Sequence, residues 1–142
     1  MGLSASYRNY AQQYQRTQVE TASPTQLVVM LYDGAIRFLY RAKERMLAKD
    51  IEGKHIHLIK AQKIVMELMS SLDRNQGGEI AVNLHRIYQY MLEQLVEANL
   101  YNKPSNIDTV LSMLKDLRES WAEVDKQQQK SREADAHATK LY

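Results

Sequence analysis

Apolar residues recur at three- and four-residue intervals in four long stretches of this chain, separated by short polar or glycine-containing breaks. In the first stretch, Leu27, Leu31, Ala35, Phe38, Ala42 and Met46 share one helical face. Val29, Tyr32, Ile36, Tyr40 and Leu47 form a second line on roughly the opposite side. Ser23 and Gln26 stand in capping-box spacing and Pro24 falls at the first helical position, so a helix is expected from Pro24 to about Ala48. Asp33-Gly34 elsewhere signals a turn, but the apolar period continues on both sides. Gly34 then reads as a point where another backbone comes close.

The next connection is Lys49–Gly53, with Asp50 as candidate N-cap. A second helix to about Leu72 carries Leu58, Ala61, Val65, Leu68, Met69 and Leu72, with Ile59 and Met66 widening its face. Adjacent Gly77 and Gly78 suit a left-handed stop and reversal. A third helix, Glu79 to Tyr101, aligns Ile80, Leu84, Ile87, Met91, Leu95 and Ala98, broadened by Tyr88 and Leu92. After Asn102–Ser105, with Ser105 and Asp108 in capping-box spacing, a fourth helix from about Asn106 to Lys126 carries Ile107, Val110, Leu111, Leu114, Leu117, Trp121 and Val124. Beyond Lys126 the apolar period stops, which predicts a frayed end or a polar helical extension.

Four amphipathic helices joined by short turns predict an all-α fold, an antiparallel up-down-up-down four-helix bundle with a short N-terminal helical segment. The expected division is a mobile N-terminal cap over residues 1–20, the bundle over 21–126 and a polar tail over 127–142. In the N-terminal stretch Tyr7, Tyr10 and Tyr14 recur at helical spacing among glutamines. So short a helix is marginal in water, so it either frays as a tail or docks on the second stripe of the first helix.

That second stripe is the functional question. Either the first helix is buried on all sides, or the stripe receives a mobile segment or a partner. At 142 residues the chain has few spare elements to cover it.

Composition narrows the choice. A formal charge of +2, from 19 basic and 17 acidic residues, gives no electrostatic case for nucleic acid. No apolar run is long enough for membrane insertion, and the N-terminus lacks the pattern of a secretory signal. With no cysteine there is no disulfide or thiolate site. A di-iron bundle site needs two Glu-x-x-His motifs; Glu52–His55 is alone and lies at a helix start, and His85 has no glutamate three residues before it. Glu133 and His137 fall in the polar tail. No Gly-x-Ser-x-Gly or phosphate-cradling loop occurs. Neither catalytic residues, nor a metal, nor a cofactor is expected; the surplus of this sequence is apolar surface, which points to binding.

Tyr10 and Tyr14, the run Val19–Pro24 and the run Met30–Ile36 resemble the flagellin export chaperone family, FliS. Leu72-Asp73, Gly77–Ala81, Asn83-Leu84, Tyr88 and Ala98-Asn99 are similar to its middle segment, and Trp121 to its last helix. The resemblance spans roughly residues 10 to 125. It implies a cytoplasmic bacterial protein without catalytic activity. Such a protein binds the disordered C-terminal region of flagellin, keeps it from polymerising early and helps deliver it to the flagellar export apparatus. It also implies that the N-terminal segment can cover part of the client surface.

The expected partner-binding residues follow. Val29, Tyr32, Ile36 and Tyr40 line one trough, with Asp33 either holding the N-terminal segment or a client amide or standing as a solvated carboxylate. Tyr10 and Tyr14 form a self-made lid. Ile59, Met66, Tyr88 and Leu92 line a second contact surface. The competing expectation is a self-associating helical module that uses the second stripe for a dimer; the expected state is a monomer or weak dimer.

Overall fold

The computed structural model describes residues 21–140, which form four helices: α1 Pro24–Leu47, α2 Ile51–Ser70, α3 Arg74–Tyr101 and α4 Pro104–Lys140. Cross-helix pairs fix their directions. Thr25, Asp33 and Lys43 of α1 meet Asp125, Arg118 and Asp108 of α4, so one number rises as the other falls. Phe38 meets His57 between α1 and α2, Lys54 meets Asn99 between α2 and α3, and Asn106 meets Gln94 between α3 and α4. The helices form an antiparallel ring in which α1 packs on α2 and α4, and α3 closes the far side.

Local chemistry sets the boundaries. The Ser23 hydroxyl accepts from the Gln26 amide at 3.2 Å while the Gln26 side chain accepts from the Ser23 amide at 2.7 Å, completing the capping box ahead of Pro24. Asp50 caps α2 by accepting from the Gly53 amide at 3.0 Å. Gly78, at φ 55° and ψ −130°, breaks the first turn of α3 from the rest in a region that only glycine enters freely. Regular helix therefore starts where the sequence places it, at Glu79. Asn102 ends α3 in the left-handed conformation.

Leu31, Ala35, Leu39 and Ala42 of α1 meet Leu58, Ala61 and Val65 of α2, Met91 and Leu95 of α3, and Ile107, Val110 and Leu114 of α4 in one core. Each large aliphatic side chain here contributes on the order of 1.5–3 kcal/mol.

Four expectations change. Tyr32 and Tyr88, expected on open surfaces, are 0% and 1% exposed. At 100° per residue Tyr32 lies about 20° from the fully buried Leu39 and about 80° from the exposed Tyr40, so it turns with the core rather than with the open part of the second stripe. Tyr88 approaches it from the diagonally opposite helix. Ile80, expected in the core, is 72% exposed because it sits in the first turn after the Gly78 break, whereas Ala81 is buried. Helix α4 starts at Pro104, and Asp108 bonds to Lys43 at 2.7 Å instead of completing a box with Ser105. Past Lys126 the helix continues to Lys140, its side chains exposed through 138: a polar helical extension. Asp33-Gly34 lies within an unbroken α1, and Gly34 is buried.

Candidate partner-binding surface

Three members of the second α1 stripe keep to the side of the helix that faces α4. Val29 lines a cleft of about 600 Å³ between the start of α1 and the late turns of α4, with Gln26 and Met30 on one wall and Arg118, Ala122 and Asp125 on the other. Ile36 is half-buried and packs against the core. Tyr40 is 46% exposed, and the Lys115 ammonium stands 4.7 Å from its ring centroid, a cation–π contact. Leu47 continues the line into a second cleft of about 480 Å³ at the other end of the bundle, where Met46, Ile51 and Pro104 add apolar walls. From Val29 to Leu47 the stripe runs about 27 Å.

Polar side chains stitch the seam beside this stripe. Thr25 donates to Asp125 at 2.6 Å, as Ser23 does at 3.1 Å. Arg118 grips Asp33 with two donors, Nε to Oδ1 at 2.8 Å and Nη2 to Oδ2 at 3.4 Å. The hydrogen bond to Asp33 is the main reason the Arg118 guanidinium is held above its ordinary pKa. Asp33, expected to hold the N-terminal segment or a client amide, therefore has a partner on α4.

A second apolar line follows the α2–α3 seam. His55, Ile59 and Met66 fall within about 40° of one another on α2, and the Asn99 amide donates to His55 Nδ1 at 2.9 Å, marking this as the side that meets α3. Met66 is 47% exposed and Ile59 half-buried. On α3, Leu92 lines a shallow depression of about 430 Å³ with Val96 and Leu100. Those last two were missed although their spacing of four residues was readable. Tyr10 and Tyr14 lie outside the described residues.

Burial raises the pKa of both Tyr32 and Tyr88, and both phenols stay protonated at neutral pH. They are interior groups. Two histidines have hydrogen-bond partners: besides His55, His57 Nδ1 donates to the Gly53 carbonyl at 2.7 Å. No group of three metal-ligating side chains comes together among the described residues, and no helix among them is long and apolar enough to cross a membrane.

Comparison with known proteins places this chain in a family. The model of the flagellar protein FliS matches residues 6–128. The flagellar secretion chaperone FliS of Salmonella typhimurium is 38% identical over 125 residues, covering 87% of this chain and 93% of that one. The Bacillus subtilis chaperone of the same name is 35% identical over 119 residues, 84% and 88% of the two chains. The FliSB chaperone of Pseudomonas aeruginosa is 37% identical over 114 residues, 80% and 90% of the two chains. A solved structure described as a flagellar chaperone from bacteria superposes with a TM-score of 0.70 at 18% identity, covering 84% of this chain and 98% of that one, and shows the shared fold. With the family match running through nearly the whole bundle, this chain belongs to the FliS family of flagellar secretion chaperones, and it is a chaperone rather than an enzyme.

Proposed function

We propose that this chain binds the disordered C-terminal region of flagellin in the cytoplasm, keeps it from polymerising before export and assists its delivery to the flagellar export apparatus. The observation that carries this reading is the stripe Val29–Ile36–Tyr40–Leu47, an apolar line down the side of a helix already packed on two neighbours, with a cleft at each end. A disordered segment that orders on binding has to offset lost chain entropy with buried apolar area. Anchors spaced at three, four and seven residues suit that task. Ile59, Met66 and Leu92 offer a second line for a client that wraps around the bundle. Asp33 helps through Arg118, holding the α4 bank of the stripe in place. Tyr10 and Tyr14 cover the stripe until the client displaces them.

Light scattering on the full chain with and without a synthetic C-terminal flagellin peptide tests the reading. A monomer that becomes a one-to-one complex supports it. A dimer that ignores the peptide overturns it and favours a self-associating module.

A further inference from the structure

We infer that the cleft where α1 ends receives the carboxyl terminus of the bound polypeptide, its last apolar side chain against Leu47 and Ile51 and its terminal carboxylate on Lys54. The inference rests on the client-binding reading above and gives the client a direction along the stripe.

Lys54 carries the argument. It is 4% exposed and borders the cleft. Its ammonium donates to the Asn99 carbonyl at 2.9 Å and to Asn102 Oδ1 at 2.6 Å. Those bonds occupy two of its three N–H groups, and both acceptors are neutral. Among the described residues no carboxylate forms an ion pair with it. A buried ammonium without a counter-charge is costly, so an anion that arrives there gains both the charge and the spare donor. Asp50, the carboxylate in the cleft wall, is already engaged: it accepts from the Gly53 amide and lies 3.8 Å from Arg45. The N-termini of α2 and α4, at Ile51 and Pro104, turn their positive ends to the same space.

The rest of the cleft selects what bears the carboxylate. Its walls are mostly apolar, which suits an apolar residue rather than a bare inorganic anion. A volume of about 480 Å³ leaves room for a chain end. Position argues for a terminus over an internal acidic residue. The stripe enters the cleft at Leu47, where α1 stops, so the path along α1 ends in this cleft.

The test is calorimetric titration of the full chain with a C-terminal flagellin peptide made as the free acid and as the C-terminal amide, repeated on Lys54→Met. The expected result is about tenfold weaker binding of the amide, the worth of one charge-assisted hydrogen bond, with the gap closing in the variant. Equal affinity of acid and amide for the unaltered chain overturns the inference and leaves the client-binding reading standing. A gap that persists undiminished in Lys54→Met also overturns it, because the carboxylate is then read elsewhere. If neither peptide binds, both readings fall. The acid–amide comparison on the unaltered chain decides the matter even if Lys54→Met folds poorly.

Discussion

The hydroxyl of Tyr32 on α1 is hydrogen-bonded to that of Tyr88 on α3, across the middle of the bundle and between helices that are not ring neighbours. Their ring centroids are 6.5 Å apart. Removing one hydroxyl strands the other in the core, whereas removing both leaves a shape-matched apolar pair. Tyr88→Phe is therefore expected to cost about 1–3 kcal/mol, and Tyr32→Phe with Tyr88→Phe less than the sum of the single changes. Urea unfolding of the four proteins in the cycle measures this.

The same pair predicts a pH dependence. Both phenols ionise less readily when folded than at the ordinary value of 10.0. Above that pH the unfolded chain loses protons that the folded chain keeps, so stability is full below it and falls as pH rises beyond it. The double phenylalanine variant should lose less stability than the unaltered chain between neutral pH and strongly alkaline pH, as followed by thermal melts.

Asp33 and Arg118 are each roughly two-fifths exposed, so water screens their attraction. Asp33→Asn is expected to cost at most about 1 kcal/mol, and high salt should shrink even that difference. Denaturant midpoints at low and high ionic strength give the comparison.

Tyr40 and Ile36 separate binding from folding. Ile36 packs on the core, so Ile36→Asp should weaken client binding and also destabilise the bundle by about 1–3 kcal/mol. Tyr40 is exposed, so Tyr40→Asp should stay within about 0.5 kcal/mol of the original stability while weakening the flagellin peptide at least tenfold. Undiminished affinity in Tyr40→Asp would remove this residue from the binding stripe.

Gly78 has open space around its Cα, so only its backbone resists a side chain. Gly78→Ala is expected to lower stability by about 1–3 kcal/mol without touching the peptide affinity. Chemical denaturation and titration together check both halves of that statement.

The helices, the Ser23–Gln26 cap and the Asp50 cap were legible because each is a local pattern of residues close in sequence. Tyr32 was misplaced because a position between two stripes is settled by which helix lies opposite, and that is a tertiary fact. Ile80 failed for a related reason: the period was right, but the Gly78 break takes its turn off the end of the packed ring. Nothing in the sequence marked Lys54 as buried either, since its partners stand 45 and 48 residues away. Of the surface, Val29, Ile36 and Tyr40 were readable as a surplus stripe, while the polar seam beside them needed the register of α4.

That seam also dictates an order of assembly. Three of the ring contacts join helices that follow one another along the chain, and each can form as soon as its short turn does. The fourth, α1 against α4, links residues up to 103 positions apart and adds a seam of hydroxyls, carboxylates and a guanidinium group to the shared apolar core. Bringing such distant ends together carries the largest loop-closure entropy in the molecule, and the polar bonds of the seam by themselves offset little of it. During synthesis, then, the first helix must wait beside two packed neighbours for the last one to emerge, and the flank that carries Val29, Ile36 and Tyr40 is the last to be walled in.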